Sequence, residues 1–516
     1  MTFLRVATAA LFSLASASQA AAQDITLTSH DGKVEVIGNL LSYDGEFYRI
    51  DTRFGALTVD GSGVTCTGPA CPSLTDFVAE VRLSGASVMA ENILPALLVA
   101  FARHEGWAAT PRHLEGGQFA YELTKPDRAA PLGRFVFTPT TTDQGFADQV
   151  SGSADIVMAL REVRPTEQDS AIKAGLGDLS LARRSRIVAL DALVPVVSPD
   201  NPIRQISPAD LVRIFTGEIT NWTSLGGPDA PIAVHLPDTD PSQALQDSLL
   251  TPVNASLPAR INQHNRSSAL VQAVARDPFA IGIASQAAVD TVRALPLTGG
   301  CGHALAATRQ SIKTEDYPLT SPMFLYLPNR RLPRIARQFL AFAQSPEAQV
   351  AIRDAGFVDQ APELLSIDQQ GHRLANAVAS GGAEIGLDEL QRIVGTLRAQ
   401  SRLSLSFRFE TGSSRPDAQS RANIQLLAQL VESGQFDTRR LTFIGFSDGD
   451  GSAQANAQIA LLRAKTVRNA VLAAIEASIS EKVELNVDGF GEAMPMACDD
   501  TEWGRKVNRR VEVWVQ

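Results

Sequence analysis

The spacing of apolar and polar positions divides the chain into three textures. Over residues 24–72 the stretches "KVEVIG" and "FYRID" alternate at every second position, and Asp-Gly dipeptides recur at 31, 44 and 60. Period-two patterning between such turn signals predicts short hairpin strands, hence a small all-β module at 23–75. From about 79 to 360 the pattern changes to strands alternating with amphipathic helices, which predicts an α/β domain. In it "EVRLSGAS" reads as a strand entering a Ser-Gly turn, and "ENILPALLVAFARHEG" as a helix with Ile93, Leu97 and Phe101 on one face. Pro95 either kinks that helix or marks where its regular part begins. Residues 361–401 are polar and helical around "ASGGAEIG", the texture of a linker. Residues 402–516 run strand, helix, strand, helix, strand from "RLSLSFRFETGSS" to "NRRVEVWVQ", an α+β domain.

The N-terminus and the cysteines narrow the setting. Arg5 precedes the apolar "VATAALFSLASA" and the small-residue "SQAAAQD". This is the pattern of a secretory signal peptide over 1–22, cut after Ala22, so an exported mature chain is expected. The apolar run falls short of the roughly 20 residues of a membrane-crossing helix, and no later run reaches that length. The first cysteine is Cys66, so no lipid anchor is expected at the new N-terminus. Export permits disulfides: Cys66 and Cys71 in "CTGPAC" close a short loop, while Cys301 and Cys498 fall in different predicted domains. The latter two are either a bond that ties those domains or two buried thiols. No Cys/His spacing fits a zinc site, and no cofactor is expected. A formal charge of −10 with pI near 5.3 argues against nucleic acid as a partner. The histidines 30, 104, 113, 235, 264, 303 and 372 show neither metal spacing nor a nucleophile elbow, so no enzyme is expected.

Two segments carry candidate chemistry. "LSGAS" sets Ser84, Gly85, Ala86 and Ser87 between a strand and a helix, where free N–H groups and hydroxyls suit an anion. Plain N-capping by Ser87 is the competing reading. In order, "SGSADIVMALREVRPTE", "ALVPVVSPDNPIRQISPADLVRIFTGEITNWTSLGG", "LVQAVARDPFAIGIAS" and "IKTEDYPLTSPMFLYLPN" resemble the PstS-like phosphate-binding proteins of ABC importers. The "NP…IS…L..IF.G.I.NW" run is the most specific. The resemblance covers roughly 80–358 and implies a two-lobed α/β periplasmic binding protein domain of type II, at 79–360, that closes on an anion. It implies donors at Ser84 to Ser87, Asp155 accepting the proton of a singly protonated phosphate, and Arg161 near the cleft, with Leu160 in place of the family's serine. Where the family carries an arginine and then Ser-Gly-Thr, this chain has Pro237 and "PSQ", which leaves Thr239 and Ser242 as donors.

The second segment is "GFSDGDGSAQANAQIALLRAKTV". Ala460, Ala464, Val467, Val471 and Ile475 form one helical stripe, and Asn456 and Arg463 flank it, close to Ser447 and Asp448 at the preceding strand's end. Taken alone, Asp448 and Arg463 read as a surface salt bridge worth about 0–1 kcal/mol. With "FETGSS" before it and "GFGEAMP…GRKVNRRVEVWV" after it, the run is similar to the OmpA-like peptidoglycan-binding domain over about 402–516. That family implies that Asp448 pairs with the ammonium of diaminopimelate in the peptide stem and Arg463 with its carboxylate. It implies that Ser447, Asn456, Asn508 and Arg509 border the pocket, with Phe446 replacing the usual histidine. The two resemblances imply a non-catalytic periplasmic protein at the peptidoglycan, on the inner side of the outer membrane. It would bind phosphate or a similar oxyanion and face an ABC permease. The alternative is a wall-tethered scaffold whose central domain has lost anion binding and contacts another protein.

Overall fold

The computed structural model describes residues 24–74, 77–128, 130–238, 240–258, 261–380, 385–410, 413–476 and 482–516; the signal peptide expected over 1–22 lies outside them. Strands β1 (Ile25–Ser29), β2 (Glu35–Tyr43), β3 (Phe47–Thr52), β4 (Gly55–Asp60) and β5 (Val64–Thr67) form one antiparallel sheet in the order β4-β3-β2-β1-β5. Alternate residues Ile25, Leu27, Tyr48 and Ile50 make its core, and Cys66 bonds Cys71. These residues form a unit of their own.

In the second unit the strands are β6 (Ala79–Ala86), β7 (Ala108–His113), β8 (Phe119–Thr124), β9 (Gly133–Thr140), β10 (Ile156–Ala159), β11 (Ser185–Val197), β12 (Ala233–Pro237), β13 (Asn262–His264), β14 (Ala280–Ser285), β15 (Arg293–Ala294), β16 (Leu297–Thr298), β17 (Ala304–Leu305) and β18 (Thr320–Tyr326). All but β16 and β17 join one sheet, in the order β13-β12-β14-β11-β18-β10-β6-β9-β8-β7, with β15 on β11. Thirteen-residue β11 links its two halves. It pairs with β18 from Ser185 to Ala192 and with β14 from Leu193 to Val197. Its near-continuous burial is that of a strand covered on both faces. Helices α1 (Leu94–His104), α2 (Thr142–Ser151), α3 (Pro165–Lys173), α4 (Pro208–Phe215) and α5 (Asp240–Leu245) alternate with these strands. Pro95 stands in the first turn of α1, where its missing N–H costs nothing.

The C-terminal sheet has strands β19 (Leu364–Leu365), β20 (Ser401–Phe407), β21 (Arg440–Phe446), β22 (Glu484–Gly489) and β23 (Arg510–Val515), ordered β19-β20-β23-β21-β22. The helices Ala418–Glu432 (α6) and Ala453–Ala474 (α7) bury Leu427, Val431, Val467 and Val471 with Phe443, Val511 and Val513 of one sheet face. The segment 361–401, expected as a polar linker, supplies two helices, Gly371–Ser380 and Leu387–Leu397. Their Ala377, Ile393 and Leu397 are buried with Ile444, Phe446 and Trp514 on the opposite face, so these helices form a third layer. No helix among the described residues is long and apolar enough to cross a membrane.

Candidate functional site

The Ser84 turn lies where parallel β6 and β10 end. Gly85 has φ of 130°, and a Cβ there would stand 2.1 Å from the Met158 carbonyl oxygen, so only glycine lets the strands approach. Ser84 is buried and donates to Asp148 at 2.5 Å, with Thr140 Oγ1 3.2 Å away. Ser87 does not cap the following helix; its Oγ donates to the Thr140 carbonyl at 3.1 Å, and the helix starts in a wide turn over Met89–Ile93. Both hydroxyls are therefore committed within the chain.

Asp155 is not among these groups. The register sets Ile156 beside Leu83 and Met158 beside Gly85, so Asp155 stands next to Arg82, just before β10 begins and away from Ser87. There it accepts from the Arg82 N–H and guanidinium, each at 2.8 Å, and pairs with Arg330. This corrects the expectation drawn from motif position: a buried carboxylate holding two guanidiniums fastens the strand start.

Arg161 does lie at the strand ends. It grips Glu167 with a two-bond fork of 2.6 and 2.9 Å, pairs with Asp143 and approaches Asp247 at 3.6 Å. Arg164, missed in the sequence, binds Asp247 at 2.6 Å and Asp143 at 3.1 Å. Gln243 on α5 donates to Asp143 at 2.6 Å. Burial alone pulls the Arg161 guanidinium down, yet Glu167 and Asp143 hold it above the usual arginine value. Burial likewise pushes the Asp143 carboxyl up, but Arg161 and Gln243 keep it below the usual carboxylate range. Two cations thus face three carboxylates, drawn from both halves of the sheet. Thr239 and the Ser242 side chain lie outside the described residues.

The C-terminal site is arranged differently. β21 ends at Phe446, and Gly445 packs so tightly under α7 that a Cβ would stand 1.9 Å from the Ala460 carbonyl. That approach sets Asp448 near the flank of α7 carrying Arg463. Asp448 accepts from Arg509 at 2.6 Å, and Arg509 also binds Glu502 at 2.5 Å. Arg463 makes no hydrogen bond or ion pair among the described residues; its guanidinium lies 5.5 Å from the centre of the Phe409 ring. Burial pulls it below the usual arginine range and nearby Arg509 adds to this, while Asp448 opposes both. Ser447 is buried, and its Oγ has no hydrogen-bond partner among the described residues. Asn456 donates to Glu492. Asn508 is spent on the backbone of 496 and 497 and on Asp499, so it shapes the neighbouring loop. Phe446 faces the other way, buried beside Arg510 and Arg373.

That loop ties the domains together. Cys498 bonds Cys301, Asp500 accepts from Gly300 N–H at 2.5 Å, and the Trp503 indole donates to the Ser248 carbonyl at 2.9 Å. His303 adjoins the bond, but both sulfurs are joined to each other. On the other half of the sheet, Glu162 accepts from Ala418 N–H at 2.9 Å. Between them Asp316 accepts from Arg402 at 2.7 and 3.1 Å, and Arg402 in turn adjoins Glu512, which Arg373 and Arg510 also bind.

Fold and sites together define an α/β domain of one mixed sheet joined to a small α+β domain in which Asp448, Arg463 and Arg509 lie close together. Residues 118–347 match the family model described as the PBP superfamily domain, and 408–509 that of the OmpA family. The chain combines a PstS-like domain of that superfamily with a C-terminal OmpA-family domain. It is 27% identical over 231 residues to Protein SphX of Synechococcus elongatus, covering 42% of this chain and 66% of that one. It is 24% identical over 226 residues to the phosphate-binding protein PstS of Staphylococcus haemolyticus, covering 42% and 69%. The match therefore leaves about a third of each relative uncovered. A solved ABC-type phosphate transport receptor from Vibrio cholerae is 20% identical, covering 54% of this chain and 99% of its own, with a TM-score of 0.42.

Proposed function

We propose that this is a non-catalytic periplasmic protein held at the peptidoglycan by its OmpA-family domain, which carries a PstS-like domain for a small oxyanion such as phosphate. The carrying observation is Arg463: a half-buried guanidinium beside Asp448, without an ion-pair partner among the described residues, is the arrangement that a zwitterion completes. The carboxylate of diaminopimelate takes the Arg463 fork, and its ammonium shares Asp448 with Arg509. Arg463→Ala or Asp448→Ala should abolish co-sedimentation with purified peptidoglycan; pelleting retained in both variants overturns the assignment.

For the central domain, read as a two-lobed type II binding protein, Arg161 and Arg164 are the cations open to an oxyanion, next to the backbone of Ser84 to Ser87. An incoming anion displaces Asp143 and Asp247 and so binds more weakly than at a preformed site. One observation favours the second reading, a scaffold that has lost its ligand: those guanidiniums are already satisfied by the chain's own carboxylates. Titration calorimetry of the mature chain with phosphate, sulfate and molybdate separates the two. Heat with an oxyanion, strengthened in Asp143→Asn, supports the binding protein and a place beside an ABC permease; no heat in either form supports the scaffold.

A further inference from the structure

A groove of about 440 Å³ opens between the start of β11, the residues around Ala343 to Gln349, the turn at 360–362 and helix α6. The volume is that of a small-molecule site, and domain junctions are where such sites concentrate. No carboxylate lines it, although the chain as a whole carries a charge of −10. Arg186 on its wall is half-buried and makes no hydrogen bond or ion pair among the described residues. Burial pulls this guanidinium below the usual arginine range, with no acidic neighbour to offset the effect. A desolvated cation without a counter-charge is unfavourable unless something pairs with it.

Beside Arg186 the lining carries the exposed Arg183 and the hydroxyl of Ser185, and the remaining polar side chains are amides. Gln349 and Gln360 are held in the wall, the first accepting from the second's N–H at 2.8 Å and the second donating to the Ile187 carbonyl at 2.7 Å. Gln425 and Gln429 on α6 and Gln435 beyond it make no side-chain hydrogen bond among the described residues, so donors and acceptors stand free on the other wall. Leu426 and Leu430 add apolar surface between them.

We propose that this groove binds a small N-acylated sugar acid. Arg186 takes the carboxylate with its fork, the free glutamines take the acyl amide and hydroxyls, and the leucines cover the ring's apolar face. The groove is a different place from the Asp448 site, because its lining shares no residue with it.

The test is titration calorimetry of the full mature chain with N-acetylmuramic acid and with N-acetylglucosamine, which has the same acylated ring without the lactyl carboxylate. The acid binds and the neutral sugar binds at least about tenfold more weakly, the discrimination one charge-assisted pair supplies. Arg186→Gln loses the acid by a similar factor while its thermal midpoint stays at the wild-type value. Should that variant fail to fold, Gln429→Glu, which sets a competing carboxylate in the groove, gives the same loss. Equal binding of the two sugars, no binding of the acid to the wild type, or full affinity in a folded variant overturns the proposal.

Discussion

Replacing Asp316 by asparagine tests whether the two domains of the second unit are one thermodynamic body. The change keeps volume and removes one charge. Arg402, only 1% exposed, then loses bonds of 2.7 and 3.1 Å. It keeps Ser406 at 2.9 Å and Glu512 at 3.5 Å, but Glu512 is already shared with Arg373 and Arg510. Three guanidiniums would face one carboxylate in a region closed to water. Removing one partner of a buried pair costs about 3–5 kcal/mol, against about 0–1 kcal/mol at the surface. With a slope of roughly 2 °C per kcal/mol for a large unit, the unfolding midpoint falls by roughly 6–10 °C. Calorimetry of the full chain reads this directly, with Glu484→Gln, which breaks the exposed Arg440 pair, as the control. The wild type shows one transition for the second unit, and Asp316→Asn separates it into two. A midpoint shift no larger than the control's would refute the reasoning, because the network would then be incidental to domain union.

Glu315, the residue before Asp316, has a positive φ and is buried, and burial pushes its carboxyl up to about 8 with Asp417 adding to the effect. The folded chain therefore keeps a proton that the unfolded chain releases near 4.5. This contribution is complete below that pH, declines as pH rises and is lost above about 8. Glu315→Gln should gain stability relative to wild type between pH 5 and 8, by up to about 1.4 kcal/mol per pH unit; parallel midpoint-against-pH curves would sink this account. Gly85→Ala sets a methyl group 2.1 Å from the Met158 carbonyl in a backbone conformation that alanine avoids. It should cost at least about 3 kcal/mol or abolish soluble expression, and wild-type denaturant midpoints would count against the close strand approach.

What the sequence allowed to be read followed from local periodicity and from motifs with fixed spacing. Alternation marked the N-terminal strands, and the helical stripe from Ala460 to Val471 set Arg463 on the flank that faces the strand end at Asp448. The reading of Asp155 went astray because motif position carries no direction along a strand. From Asp155 to Arg161 is six residues, or roughly 20 Å of extended chain, so these two do not meet at one ligand. The partners of Arg161 and Arg164 were hidden for another reason: Asp247 lies 83 residues beyond Arg164, and only the fold brings them together. The third layer of the C-terminal domain left its signal in Leu390, Ile393 and Leu397, spaced three and four residues apart in a segment interrupted by "ASGGAEIG". Cys301 and Cys498, 197 residues apart, had no local signature of pairing.

The pairing changes how the central domain can work. One strand, β11, serves both halves of its sheet, so any opening of the domain pivots near Ala192 and Leu193, where β11 passes from β18 to β14. The C-terminal domain is fastened on both sides of that pivot. Cys498, Asp500 and Trp503 hold the half that contains Ser248 and Cys301, while Ala418 and Arg421 hold Glu162 on the other. A rotation that separates the halves must break one set, and the covalent bond directs the break to the Glu162 side. Glu162 is also the weaker hold, since burial and Asp417 push its carboxyl up and so favour its neutral form. The same loop that carries Cys498 is shaped by Asn508, next to Arg509 and hence to the Asp448 pocket. One short stretch of backbone, from Met496 to Arg509, therefore carries both the disulfide to the central domain and the arginine that pairs with Asp448.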